Sequence, residues 1–363
     1  MFMPKIKALI IDDSALMRNL LSRILAEAPD IEVIGTASDP YDARDKIKQL
    51  NPDVLTLDIE MPRMDGLTFL GNLMRLRPMP VIMLSSLTQQ GADMTLQALA
   101  AGAVDFISKP ELSTGYELED YARELISKIR MASASRVGKP LKPTIDRITE
   151  DHSAGKSLSK TADGSYGKPS AIVIAIGAST GGTEAIRQVV CNLPPDTPPV
   201  IVSQHLPATF SASFAKNVNK ASQMQAQLAE QGMVLESGNI YIAPGGKHLL
   251  VKRTARRHQY QIELDDGVPV NRHKPSVDAM FRSVAEAYAS GCVGILLTGM
   301  GVDGAAGLKC MHDAGAITIA QDETTSVVWG MPGEAFRLGA VDHVLPLGKI
   351  PAKLLASLGQ LYP

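Results

Sequence analysis

The sequence predicts two α/β units in tandem, each a parallel sheet with helices wound onto both faces. Three observations predict it. Short apolar runs, such as Lys5–Ile11, Val54–Leu57, Ala171–Ile176 and Val293–Leu297, alternate with segments whose apolar residues recur at helical spacing. Most of these runs end directly in carboxylate, hydroxyl or glycine residues, at the edge where an open α/β sheet binds its ligands. Between residues 133 and 168 the composition shifts to Ser, Lys, Gly, Pro, Thr and Asp with few large apolar side chains. Such a segment cannot bury enough surface to offset its ordering entropy. The expected organisation is therefore a first domain over 1–132, a linker over 133–168 and a second domain over 169–363.

Composition narrows the function classes. The chain has 363 residues, 45% of them hydrophobic, which supplies core material for two domains. A formal net charge of -2 gives no reason to expect a non-specific nucleic-acid or membrane surface. Cys191, Cys292 and Cys310 have no C-x-x-C spacing and read as free thiols in a reducing compartment. No apolar run approaches the ~18 residues of a membrane span, and the start of the chain does not read as a signal peptide. The expectation is a soluble cytoplasmic protein.

In the first domain, Lys5–Ile11 reads as a strand ending at Asp12-Asp13. Ser14–Ala28 follows as a helix with Leu16, Leu20 and Ile24 on one stripe. A second strand (Ile31–Thr36) and helix (Pro40–Leu50) lead to a third strand, Val54–Leu57, which ends at Asp58. After the helix Leu67–Leu76, a fourth strand, Val81–Leu84, ends at Ser85. After a helix through Thr95–Ala101, a fifth strand, Ala103–Ile107, runs to Ser108-Lys109-Pro110. Glu117–Met131 closes the unit as a helix. Taken singly, Asp12-Asp13 fits a helix cap, Asp58 a loop acid and Lys109 a solvated side chain. Taken together, three carboxylates, a hydroxyl and a lysine at one sheet edge fit a hard divalent cation with oxygen ligands and a phosphoryl group paired to the lysine.

These residues, with Met61-Pro62, Asp65-Gly66 and Lys109-Pro110, make residues 5–130 resemble a response-regulator receiver domain, which implies a flavodoxin-like fold. The resemblance implies that Asp58 accepts a phosphoryl group from a histidine kinase. It implies that Asp12, Asp13 and Asp58 hold Mg²⁺, that Lys109 contacts the acyl phosphate and that Ser85 hydrogen-bonds a phosphoryl oxygen. Phe106 stands where the family keeps an aromatic switch residue.

The second domain is organised around Ala171–Gly182, AIVIAIGASTGG. A buried strand runs into a Gly-rich turn and then a helix, and Gly177-Ala178-Ser179-Thr180-Gly181 matches G-x-S-x-G. The pattern lifts a serine to a sheet end, with the unpaired N–H groups of the next helix directed at the turn. By itself it also fits an ordinary Gly-rich turn or a phosphate-binding loop. Val200–Ser203 is the next strand, followed through Gln204 by His205. If these two strands are parallel neighbours, Ser179 and His205 reach the same edge. His273, in the loop before the helix Ser276–Ala289, is the rival base and otherwise lines the substrate groove. His248 and His258 flank the basic run at 252–257, which reads as a hairpin turn, and His152 falls in the linker. Val293–Leu297 ends in a third Gly-rich turn that carries Asp303, which either orients His205 or caps the following helix. Thr180 and Met300 supply candidate backbone donors for an oxyanion.

The order Ser179, His205, Asp303 differs from the Ser, Asp, His order of α/β-hydrolases. Together with Gln204-His205-Leu206-Pro207, Pro244-Gly245 with His248, Pro275-Ser276-Val277-Asp278 and the turn at 297–304, these residues make 169–360 resemble the catalytic domain of CheB-type protein-glutamate methylesterases. Met331-Pro332 also fits. That resemblance implies a Rossmann-like, doubly wound serine hydrolase, needing no cofactor for hydrolysis. It implies demethylation of glutamyl methyl esters and deamidation of glutamines on the cytoplasmic helices of chemoreceptors, switched by phosphorylation of the receiver. Neither nucleic acid nor membrane insertion enters. The rival class, a receiver joined to a DNA- or nucleotide-binding output domain, finds no helix-turn-helix, Walker or G-x-G-x-x-G pattern after the linker.

Overall fold

A computed structural model describes residues 4–86, 88–110, 115–135, 171–256 and 259–361. Two compact units emerge, with residues 136–170 between the parts described. Most of the segment read as a linker, with Ile145, Ile148 and His152, lies outside the described residues, as does His258.

The first unit alternates β1 (Ile6–Ile11), α1 (Ala15–Ala26), β2 (Ile31–Ala37), α2 (Pro40–Leu50), β3 (Val54–Asp58), α3 (Gly66–Leu76), β4 (Val81–Ser85), α4 (Gln89–Ala100), β5 (Asp105–Ser108) and α5 (Gly115–Ala134). The strands pair in parallel in the order β2-β1-β3-β4-β5, the flavodoxin-like order. Every residue of β3 and β4 is buried, as a central parallel strand covered on both faces requires. Local chemistry sets the helix starts. Ser14, Asp39, Asp65 and Thr88 each accept a backbone N–H from the first turn of α1, α2, α3 and α4. Several boundaries differ from the sequence reading, among them the start of the last strand and the end of the last helix. The last strand begins at Asp105, two residues later than expected. Helix α5 continues to Ala134, into the segment assigned to the linker. Buried Met131 and Ala132 still pack there, and Ser133 turns its hydroxyl back to Arg130 O (2.8 Å).

The second unit begins with β6 (Val173–Ala178) and α6 (Gly182–Val190). Next come β7 (Val200–Gln204), α7 (Ala208–Ala221), β8 (Gln225–Leu228) and β9 (Asn239–Ile242). A hairpin, β10 (His248–Arg253) with β11 (Tyr260–Asp265), precedes α8 (Val277–Tyr288). The chain closes with β12 (Cys292–Leu296), α9 (Ala305–Asp313), β13 (Ile317–Gln321), α10 (Met331–Arg337), β14 (His343–Leu345) and α11 (Ile350–Leu361). Seven parallel strands lie in the order β14-β13-β12-β6-β7-β9-β8, and β10 and β11 pair separately as antiparallel strands. Strand β6 is central: the chain leaves it to β7 on one side and returns to β12 on the other. The strand order reverses there, so a crevice opens beyond the carboxyl ends of β6, β7 and β12. The described part of the basic run, through Arg256, sits at the hairpin end, as expected, although Lys252 and Arg253 belong to β10 itself. Among the described residues, no helix is long and apolar enough to cross a membrane.

Candidate active site and phosphoacceptor site

The crevice of the second unit collects the polar residues singled out from the sequence. Register explains why. Gly177 pairs with Ser203 and with Leu296, so all three strands end together. Ser179 follows β6 and donates its backbone N–H to Thr298 O (3.0 Å) beyond β12. Gln204, at the end of β7, donates its side-chain amide to Ser179 O (2.9 Å). The turn is thus tied to both neighbours. Space there is minimal: a Cβ on Gly299 would stand 2.9 Å from Ser179 Cβ and 2.2 Å from Met331 Sδ. Gly181 takes φ 75°, a left-handed value that needs glycine, and leads the chain into α6.

Ser179 Oγ lies 3.1 Å from His205 Nδ1, and His205 Nε2 lies 2.8 Å from Asp303 Oδ2. The imidazole side chain is 8% exposed and Asp303 is 1% exposed. The His273 ring stacks on that of His205 at 3.7 Å between centroids and 12° between planes. Thr180 is buried and Met300 exposed. Thr180 follows Ser179 toward α6, and Met300 follows Gly299, where a Cβ would stand 2.9 Å from Ser179 Cβ. His248 is a satisfied core histidine: Nδ1 accepts from Ser276 N (3.1 Å) and Nε2 bonds to Val268 O (3.0 Å).

Asp303 does not cap the helix that follows it, whose N-cap is Gly304. It takes the start of a different helix, α8. Oδ2 accepts Val277 N (2.7 Å), and Oδ1 accepts Asp278 N (3.2 Å), Ser276 Oγ (2.7 Å) and Asn271 Nδ2 (2.8 Å). Burial alone would raise its pKa, but the hydrogen bonds from His205, Asn271 and Ser276 and the imidazole charge outweigh burial. The carboxyl is held well below its ordinary 3.8. Asn271 carries no recognisable motif of its own, and Ser276 entered only within Pro275-Ser276-Val277-Asp278, so sequence reasoning gave neither a role at Asp303. The one available signal was their place before a helix whose first residues are Val-Asp.

In the first unit, Asp12 and Asp58 are buried at the ends of β1 and β3, and Asp13 is exposed beside them. Their oxygens come within 4.8 Å of one another. Lys109 Nζ pairs with Asp58 Oδ2 (2.8 Å) and Asp12 Oδ2 (3.2 Å). Burial drives the Asp58 pKa up to about 6, Lys109 pulls against it and the Asp12 charge adds to the rise. Burial depresses Lys109, but the two carboxylates more than compensate, and its pKa is raised. One ammonium among three carboxylates leaves net negative charge on an all-oxygen donor set, which fits a hard divalent cation such as Mg²⁺. Ser85 differs from the expectation of a hydroxyl aimed at that cluster. Its Oγ accepts from Thr95 Oγ1 (2.7 Å) and lies 3.3 Å from Gly91 O, so it faces α4. Phe106 is buried, with Lys128 Nζ bonded to its carbonyl (2.7 Å).

Residues 174–354 match the family model for CheB methylesterase, and residues 8–116 that for the response regulator receiver domain. The protein-glutamate methylesterase/protein-glutamine glutaminase of Hydrogenovibrio crunogenus is 53% identical, with 98% of this chain and 99% of that protein covered. The similarly named protein 1 of Xanthomonas campestris is 51% identical, with 98% of each chain covered. The crystal structure of the Thermotoga maritima CheB methylesterase catalytic domain is 38% identical and has a TM-score of 0.49; the match covers 51% of this chain and 97% of that one. A receiver followed by a hydrolase, matched from end to end by such relatives, places this chain in the family of protein-glutamate methylesterases/protein-glutamine glutaminases.

Proposed function

We propose that Ser179, His205 and Asp303 are the catalytic triad, and that the substrates are glutamyl methyl esters and glutamines on the cytoplasmic part of chemoreceptors. The observation that carries the reading is the continuous line of contacts from Ser179 Oγ through both ring nitrogens of His205 to Asp303, at 3.1 and 2.8 Å. In these roles the neutral imidazole carries its proton on Nε2, donated to Asp303, and offers the Nδ1 lone pair to the serine hydroxyl. Ser179 Oγ attacks the acyl carbonyl while Nδ1 takes its proton. Backbone N–H groups at Thr180 and Met300 stabilise the oxyanion. The imidazolium returns that proton to the leaving group, releasing methanol from an ester or ammonia from a glutamine. Water then attacks the acyl-enzyme with the same base and frees the glutamate.

The receiver is read as the control element. Asp58 accepts a phosphoryl group from a histidine kinase, Lys109 neutralises it, and Ser85 reaches it after rotating away from Thr95. Asp12, Asp13 and Asp58 would hold Mg²⁺, which when bound offsets charge on the phosphoryl oxygens. Phe106 would repack with the loops, and phosphorylation would raise the esterase rate by shifting a two-state population. The test is methanol release from methylated receptor, with and without a small-molecule phosphodonor. Ser179→Ala should lose at least about 10⁴-fold in kcat. Asp58→Asn should keep the basal rate and lose the response to phosphodonor. An active Ser179→Ala protein would end the nucleophile assignment, and a responsive Asp58→Asn protein the phosphoacceptor assignment.

A further inference from the structure

The residues Val270-Asn271-Arg272-His273 form a minimal turn. Val270 N donates to His273 O (3.1 Å) and His273 N to Val270 O (2.9 Å). Both central residues are left-handed, with φ 51° at Asn271 and 69° at Arg272. That is the type I′ pattern, in which Asn is common at the first position and Gly at the second. Arg272 holds the second without glycine's freedom, so side-chain contacts must help to hold the turn. Both residues flanking Arg272 supply them. Asn271 Nδ2 lies 2.8 Å from Asp303 Oδ1 and 2.8 Å from Asp278 Oδ2. The His273 ring stacks on His205.

We infer that this turn is a brace for the His205–Asp303 pair, and that Asn271 is its positioning residue, holding Asp303 by bridging it to Asp278. The inference rests on the triad reading above. Asp303 and Asp278 are both buried, at 1% and 4% exposure. Two buried carboxylates so placed repel unless a donor stands between them. A neutral amide has two N–H bonds, one for each. Asp278 spends its other oxygen on Gly307 N (2.6 Å), at the start of α9. Asn271 therefore links the loop bearing Asp303 to the starts of α8 and α9, and fixes the carboxylate with Oδ2 toward His205.

Removing the amide frees the carboxylate to rotate, so the imidazole is less often aligned with Ser179. The ionisable groups facing the pair are Asp278 from α8 and His273 from the turn. Lys274 is engaged with Asp266 (2.9 Å), and Arg272 is exposed.

The test uses the full chain with Asn271→Gly, which permits the left-handed backbone while deleting the side chain. Rates are expressed per site titrated with a serine-directed phosphonate, so misfolded protein does not count. The expected result is a kcat lowered by more than about tenfold with KM within about twofold. Asn271→Asp, which sets a third carboxylate against the other two, should lower kcat further. A purely structural role would reduce the number of titrated sites and leave kcat per site unchanged. That outcome, with Ser179→Ala and Asp303→Asn inactive, overturns the brace. An active Ser179→Ala protein instead overturns the triad reading beneath it.

Discussion

Asp303 meets donors from the imidazole, from the Asn271 turn and from the start of α8, and its lowered pKa follows from them. Burial would protonate it; the hydrogen bonds and the imidazole charge keep it ionised. Because its folded value lies below the ordinary 3.8, the unfolded chain binds a proton more readily than the folded one. Its contribution to stability is present above that value and drains away as pH falls through the lower, folded one. Two outcomes follow for Asp303→Asn. Its kcat falls roughly 10⁴-fold, since an amide favours the wrong imidazole tautomer. Its urea midpoint lies below that of wild type at neutral pH, and the gap narrows once pH drops below about 4. A gap that stays constant on acidification would mean that the ionised carboxylate is not what stabilises this corner. The residues themselves were unequally legible. Ser179, His205 and Asp303 each follow a strand, so their meeting could be anticipated from strand order. Asn271 acts through a two-residue turn whose left-handed backbone no apolar pattern reveals. The Ser85 hydroxyl was placed at the right edge, but its direction is set by Thr95 of α4.

Elements pack here by mutual exclusion of side chains. A Cβ on Gly177 would come within 2.1 Å of Val277 Cγ1, so β6 and the first turn of α8 touch through a glycine. The same helix start feeds Val277 N to Asp303. Gly177→Ala should therefore cost about 1–3 kcal/mol in urea unfolding and lower the esterase rate, because the overpacked contact shifts the donors of Asp303. Adding Val277→Ala should recover part of that loss, with the double variant more stable than the sum of the single effects predicts. Strict additivity would show that the contact is not the cause. In the first unit, apolar runs and helical stripes made the elements readable in order. Strand β8, Gln-Ala-Gln-Leu, was not, because only Ala226 is buried and its pairing with β9 at the sheet edge, not its composition, makes it a strand. Helix α5 overran its expected end because buried Met131 and Ala132 still pack there before the polar composition takes over.

At the scale of the whole chain, two kinds of carboxylate chemistry occupy two separate sheets, and the one in the first unit fits a metal. The cluster of Asp12, Asp13 and Asp58 joins three acids to one lysine and fits a divalent cation, whereas Asp303 is satisfied by protein donors. The composition shift after residue 133 and the two runs of strand-ending polar residues made this division legible before any contact was known. What stayed hidden was how each acid would be compensated, since that depends on partners distant in sequence. The division makes a distinct demand on metal removal. Chelation with EDTA should abolish the phosphodonor-dependent rise in methanol release, because phosphoryl transfer to Asp58 needs the cation to offset oxygen charge. The basal rate of the same protein should stay within about twofold, because acyl transfer as proposed uses Ser179, His205, Asp303 and backbone donors. Restoring Mg²⁺ should restore the response, and Asp13→Asn should weaken it at limiting Mg²⁺ without altering the basal rate. A basal rate that collapsed with chelation would place a metal in the esterase chemistry, and the assignment of Asp303 as a purely hydrogen-bonded partner of His205 would have to be abandoned.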